Sequence, residues 1–268
     1  MDLQLAGKTI IVTGGASNIG RAISLAFAKE GANVVIADKH LEGGQKVAST
    51  ANTLGSGRCI ALSTDVTKLD DVETMVASTL KEFNKVDVLV NNVGWTKLGS
   101  FVEVDPKWWQ PMVALNFICT LNGFRVVLPI MKRQGSGSII SIASVVGRKG
   151  DYHEPVYAAL KSAVINFSRS MAQEYAHDKI RINVVAPGLT MPTGPETLEG
   201  DSMWKPGGSV TQEWQDLVVS EAAGDIPLGK IGKPIDVAHA VLFLASDVAA
   251  GHITGHIIGV DGGLYMEW

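Results

Sequence analysis

Tyr157 and Lys161 stand four positions apart in "YAALK", just ahead of a long amphipathic run. On a helix, positions i and i+4 share one face. A tyrosine packed on the stem of an exposed lysine is one reading. The other is a phenol whose pKa a nearby ammonium lowers, so that it moves protons near neutral pH. An ordinary tyrosine titrates near pH 10, too high for a base at pH 7. Lowering it by two to three units corresponds to roughly 3–4 kcal/mol.

A second chemical signal lies near the N-terminus. "TGGASNIG" (Thr13 to Gly20) follows an apolar run and opens a helical pattern. Glycines there let the backbone approach a pyrophosphate, and a helix N-terminus offers unpaired N–H groups and a favourable dipole. Asp38 ends the next apolar run, 18 positions after Gly20. A carboxylate there accepts hydrogen bonds from an adenosine ribose and repels a 2′-phosphate, which favours NAD over NADP. A strand-end turn aspartate is the plainer reading. Lys39 beside it would attract a phosphate and works against the NAD preference.

These residues need a scaffold, and the chain alternates short β-branched runs with helical patterns. "KTIIVTGG" (8–15), "NVVIAD" (33–38), "CIALSTDV" (59–66), "VDVLVNNVG" (86–94), "GSIISIAS" (137–144), "RINVVAPG" (181–188) and "HIIGVDGG" (256–263) read as seven strands. Helical crossovers between them imply an α/β fold, a mostly parallel sheet with helices on both faces. No composition break marks a domain boundary, so residues 1–268 read as one doubly wound domain. The irregular stretch from Thr190 to Asp225, rich in Pro, Gly and Ser, reads as a substrate lid over about 190–225 that is partly helical around "TQEWQDLVVSEAAG".

Composition narrows the function. Hydrophobic residues make up 46 %, enough for a sizeable core, and the net charge is −4. No Lys/Arg block points to nucleic acid. Cys59 and Cys119 sit inside apolar runs and read as buried thiols, which suits a reducing compartment. "MDLQLAGK" lacks the features of a signal peptide, and no apolar run reaches the roughly 20 residues of a membrane helix. The expected location is the cytoplasm. No His/Cys/Asp cluster has metal spacing, and "GSGS" is not followed by the helix a hydrolase nucleophile needs.

The chain resembles the short-chain dehydrogenase/reductase family from Lys8 to about Gly263. Thr13, Gly14 and Gly20 match its T-G-x-x-x-G-x-G fingerprint, with Asn18 in place of the middle glycine. Asn is the non-glycine residue that most readily takes φ > 0, so Asn18 is expected to be left-handed and the loop intact. "NNVG" (91–94), "LNF" with Asn116, "ISIAS" ending in Ser144 thirteen positions before Tyr157, "YAALK", "APG" (186–188) and "VDGG" (260–263) match the remaining motifs in order.

The resemblance implies a Rossmann fold, a nicotinamide cofactor and a homotetramer built partly through the helix running from Tyr157 to His177. It also implies hydride transfer between a secondary alcohol and a ketone. Tyr157 would exchange the proton, with Ser144 holding the substrate oxygen. Lys161 would support the phenolate and bind the nicotinamide ribose, and Asn116 would hold a water beside Lys161. Cofactor contacts expected by position are Gly14, Ser17, Asn18, Ile19, Gly20, Asp38, Asp65, Val66, Asn91, Asn92, Gly94, Tyr157, Lys161, Pro187, Gly188 and Thr190.

Substrate-pocket candidates are Trp95, Val145, Val146, His153, Glu154, Leu189, Met203 and Trp204. They suggest a cyclic, aromatic or acyl-linked hydroxy compound. The basic stretch "GRKGDYHE" (147–154) would bind an anionic group such as a CoA phosphate, or is an ordinary solvated loop. The C-terminal "GLYMEW" would cover a neighbour's site. Two rivals remain open: an epimerase or dehalogenase on the same fold, and a silent nucleotide-binding partner subunit.

Overall fold

The protein is described from a computed structural model that covers residues 1–200, 202–208, 210–211 and 224–266. Seven strands form one sheet: β1 (Thr9–Thr13), β2 (Asn33–Asp38), β3 (Cys59–Ser63), β4 (Val88–Asn91), β5 (Gly137–Ile142), β6 (Ile180–Pro187) and β7 (Ile257–Val260). Their order is β3-β2-β1-β4-β5-β6-β7. Every neighbouring pair is parallel, so the sheet is wholly rather than mostly parallel.

Among the described residues the α-helices are α1 (Asn18–Lys29), α2 (Leu41–Ala51), α3 (Leu69–Phe83), α4 (Trp109–Val113), α5 (Cys119–Gln134), α6 (Val146–Lys149), α7 (Pro155–Tyr175), α8 (Pro234–Ala245) and α9 (Asp247–Ala250). Strand alternation assigns the two faces. Ile10, Val12, Val34, Ile36, Ile140 and Ile142 face α1, α2 and α8. Ile11, Val35, Leu89, Ile139 and Ile182 face α3, α5 and α7. Burial on both faces explains why the strands read as unbroken apolar runs.

The order reverses between β1 and β4, and open α/β sheets bind ligands at the carboxyl ends of strands beside such a switch. Gly14 follows β1, Asn92 follows β4 and Ser144 follows β5. The motifs therefore meet at one edge of the sheet.

From Pro106 to Gln134 the chain is helical throughout, in 3-10, α, π and α turns. By length and composition this run could cross a bilayer, its most apolar 18-residue window having a mean hydropathy of 1.6. It is not an unbroken apolar run, in line with the sequence reading: Asn116, Asn122 and Arg125 interrupt it. Its apolar face is already used: Cys119, Phe124, Val127, Leu128, Ile130 and Met131 are buried in the core.

Two aromatic contacts tie this run to α7. Phe167 meets the edges of Phe117, at 6.0 Å between centroids, and Phe124, at 5.0 Å. α7 runs from Pro155 to Tyr175 and passes into a 3-10 turn, Ala176–Asp178, so it begins and ends two residues earlier than expected. Cys59 and Cys119 are both buried free thiols, and burial raises both pKa values. The lid helix expected around "TQEWQDLVVSEAAG" lies mostly outside the described residues.

Phe124 is 2 % exposed and joins the helices that carry the site. Phe124→Ala should destabilise the fold by about 3–5 kcal/mol. The measurement is a lower urea midpoint with unchanged m-value; a midpoint equal to the parent's would contradict the packing role.

Candidate active site

The glycine-rich turn is built by close approaches. Gly14 has φ +62°, and a Cβ on Gly20 would overlap the Gly14 carbonyl. Asn18 has φ +46°, as expected for an asparagine replacing a glycine, so the substitution leaves the turn in place. Asn92 stitches this turn to β4: its Nδ2 donates to Thr13 O at 3.0 Å and to Gly14 O at 3.3 Å. Its backbone N–H donates to Thr13 Oγ1 at 3.0 Å.

The first turn of α1 fits a pyrophosphate. Ser17 at the N-cap makes no capping bond, and the turn carries no acidic residue. The first turn of the helix thus supplies no acid of its own to offset its positive end.

Asp38 is fixed against this turn. Its carboxylate accepts from Ala16 N at 3.1 Å and from His40 N at 3.0 Å. Asp65 accepts from both the hydroxyl and the backbone N–H of Thr67. Burial raises its pKa, but those bonds, with Lys39 and Lys68, outweigh it and hold the carboxyl below its usual range. Lys39 therefore acts on Asp65, and Val66 beside it is buried.

Part of the expected lid crosses this end of the groove. Glu199 N donates to Ser17 Oγ at 3.1 Å, and Lys46 Nζ pairs with Glu199 Oε1 at 3.0 Å. Gly200 lies against the His40 ring, where a Cβ would collide. The sequence gives no sign of this contact, because the partners are more than 150 positions apart.

The catalytic candidates converge between β4, β5 and α7. Lys161 is 2 % exposed, and its Nζ donates to Ile142 O at 3.0 Å. The same Nζ lies 5.4 Å from the Tyr157 ring centroid. A Cβ on Gly94 would sit 2.8 Å from Lys161 Nζ and 3.1 Å from Asn116 Oδ1. The bare glycine therefore opens the space that these two groups share.

Asn116 lies in the π turn Ala114–Ile118, which interrupts the regular α-helical hydrogen bonding. Its Nδ2 donates to Trp95 O at 2.6 Å and Met112 O at 2.9 Å, and its Oδ1 accepts from Trp95 N at 3.2 Å. Ser144 Oγ accepts from Val146 N at 3.3 Å. Its hydroxyl lies beside that of Tyr157 and favours the phenolate.

The electrostatics correct one expectation. In the polypeptide the Tyr157 pKa is raised, not lowered. Burial is the largest cause and the charge of Glu154 the next; Ser144 opposes them. Tyr157 keeps some surface in its cavity, yet protein surrounds the phenol closely enough for desolvation to dominate. Burial also draws the Lys161 ammonium down to about 8, against the raising effects of Cys119 and Glu154. Lysine proximity alone therefore does not acidify this phenol. The spacing "YAALK" gives the geometry but not the desolvation that competes with it.

Glu154 joined the pocket candidates only as a lining residue. Its carboxyl is pushed up to about 7, first by burial and then by Asp151, with Thr96 and Lys161 acting the other way. A sequence signal existed: it stands three positions before Tyr157, one helical turn away.

Other candidates are scattered. Trp95 packs on Trp108, with centroids 5.5 Å apart. Val145 is buried, and Val146 opens α6 partly buried. The side chain of His153 is exposed and packs on Tyr152. It is absent from the cavity beside Tyr157, whose lining includes Glu154, Phe101, Trp109 and Met112. Thr190 is buried, and its Oγ1 donates to Gly188 O at 3.2 Å. Pro187 O accepts from Val145 N, and Leu189 O accepts from Gly232 N. Met203 and Trp204, just after Gly200, are partly buried. The tail folds onto its own chain: Tyr265 lies under Arg148, 4.7 Å from ring centroid to guanidinium.

Comparison with known proteins agrees with this geometry. A family model described as enoyl-(acyl carrier protein) reductase matches residues 14–265. A 3-oxoacyl-[acyl-carrier-protein] reductase of Thermotoga maritima is 36 % identical over 264 residues, covering 98 % of this chain and 100 % of that protein. The human 3-oxoacyl-[acyl-carrier-protein] reductase is 34 % identical over 259 residues, 97 % of this chain and 98 % of its own. A short-chain type dehydrogenase/reductase from Mycobacterium marinum superposes with a TM-score of 0.86 at 28 % identity, covering 99 % and 98 % of the two chains. Levodione reductase gives 0.87 at 29 %, covering 97 % and 98 %.

The raised Glu154 carboxyl has a stability signature. Its ordinary value is 4.5, so between pH 4.5 and about 7 the unfolded chain has released a proton that the native protein keeps. Stability should fall as pH rises through that window, by roughly 3 kcal/mol. Glu154→Gln removes the group, and its urea midpoint should lack this fall. Parallel pH profiles for the two proteins would refute the assignment.

Proposed function

Because the chain belongs to the short-chain dehydrogenase/reductase family of oxidoreductases, we propose that it interconverts a secondary alcohol and a ketone with NAD. The supporting observation is the convergence of Ser144, Tyr157, Lys161 and Asn116 at the carboxyl edge of the sheet, beside the β1/β4 switch. The turn at Gly14–Gly20 and the uncapped end of α1 would hold the pyrophosphate, and Asp38 the adenosine ribose. The bound nicotinamide supplies the hydride chemistry.

The protein's own residues handle the substrate oxygen and its proton. Ser144 Oγ holds the oxygen against the Tyr157 hydroxyl, which takes the proton on oxidation and returns it on reduction. Lys161, anchored on Ile142 O, keeps a positive charge one turn from that hydroxyl. Asn116 would hold a water beside Lys161, and the proton would pass from Lys161 through that water towards solvent.

NAD is favoured because the Asp38 carboxylate is locked beside the phosphate turn by two backbone N–H groups. A fixed negative charge there opposes a 2′-phosphate. The relatives' names favour a second reading, reduction of a 3-oxoacyl chain carried as a thioester. A panel of free alcohols and ketones beside 3-oxoacyl thioesters, followed at 340 nm, separates the two.

The assembly would be a homotetramer in the cytoplasm. A groove along α7 and the edge strand β7, lined by Arg148, Ser162, Asn166, Arg169 and Ile257, is a surface on which a second copy would seat. A monomer by light scattering would end that reading.

Tyr157→Phe should lower kcat by about 10²-fold or more while the Kd for NADH stays within a few-fold. Undiminished turnover would remove Tyr157 from the chemistry. Asp38→Ala should lower the ratio of kcat/KM with NAD to that with NADP by about tenfold, the loss of a contact of order 1.4 kcal/mol. An unchanged ratio would sink the cofactor assignment.

A further inference from the structure

Glu154 is costly where it stands. It occupies the N-cap of α7, yet its side chain makes no capping bond. Among the described residues it forms no salt bridge with any cation. Lys97 lines the same cavity but does not pair with it. The Thr96 hydroxyl lies beside the carboxyl and lowers its pKa. That hydroxyl is buried and closes no well-formed hydrogen bond.

A desolvated carboxyl without full partners opposes folding, and its charge also opposes ionisation of Tyr157. Neither capping nor ion pairing accounts for it.

The position is nevertheless built. Gly99 N donates to His153 O at 3.1 Å and ties the loop after β4 to the approach to α7. Ala158 N donates to Glu154 O at 2.8 Å and fixes the backbone. Glu154 and Tyr157 line one cavity, whose other side is apolar, with Phe101 and Trp109 stacked at 5.8 Å.

We propose that Glu154 is a substrate-recognition residue whose carboxyl oxygens accept a hydrogen bond from an O–H or N–H group carried close to the reacting carbon. This rests on the alcohol/ketone reading of the same site. An ionised carboxylate only accepts, so a plain alcohol or an isolated ketone leaves it unpaired at the moment of reaction. A diol, a hydroxy ketone or an amino alcohol pairs it, while the rest of the substrate lies on Phe101 and Trp109. An ammonium would gain further from Asp151, the second acid near Glu154.

The test compares 1-phenylethanol, 1-phenyl-1,2-ethanediol and 2-amino-1-phenylethanol as substrates of the parent, Glu154→Gln and Glu154→Leu. Folding of each is checked by its urea midpoint. In the parent, the diol or amino alcohol should exceed the plain alcohol in kcat/KM by about tenfold or more, since a site built to bond a polar group rejects the analogue lacking it. Glu154→Leu should erase that preference, so that the ratio of kcat/KM for the diol or amino alcohol to that for the plain alcohol falls by about tenfold. Glu154→Gln should keep part of the diol preference through its amide oxygen and lose any extra gain for the amine.

Plain alcohol turnover with no preference in the parent, or a preference that survives in Glu154→Leu, overturns this inference and leaves the dehydrogenase reading standing. No turnover of any alcohol or ketone with either nucleotide overturns that reading and this inference with it.

Discussion

A lysine ammonium kept almost wholly out of water is the constraint from which the rest of the site follows. Desolvating such a group costs several kcal/mol unless its donors are met. Lys161 meets one donor with the Ile142 carbonyl at 3.0 Å. The missing side chain at Gly94 and the Asn116 oxygen shape the space around the others. Each partner comes from a different element: β5, the loop after β4, and the π turn. The parallel sheet is what brings three such distant segments to one point. Desolvation remains the larger influence, which is why the ammonium is drawn down to about 8.

The same surroundings set two acids against one another. Glu154 helps to keep the lysine charged and at the same time discourages the tyrosine from ionising. A neutral carboxyl relieves the tyrosine, while an ionised one supports the lysine. The cluster therefore titrates as a coupled unit rather than as independent side chains.

The fold was legible because the inner strands β1, β2, β4, β5 and β6 are buried on both faces and read as apolar runs whose centres are unmistakable. Asn18 was legible because few residues other than asparagine tolerate its backbone angle. Asn116 was identifiable only through resemblance, since nothing in "LNF" announces a π turn. The direction of the Tyr157 shift was not legible. It depends on how closely the surrounding chain excludes water, a three-dimensional sum that spacing along a helix does not contain. Contacts such as Glu199 with Ser17 and Lys46 were invisible for another reason: they join segments whose separation in sequence carries no periodic signal.

The π turn at Ala114–Ile118 also fixes the length of the chain there. Such a turn closes its ring one residue later than an α turn. It absorbs one residue more than an α turn would, while Phe124 and Val127 downstream still face the core. Deleting that residue would close the turn to a regular helix and leave the downstream face on the sheet. What would be lost is the widened turn from which the Asn116 amide reaches Trp95 O and Met112 O.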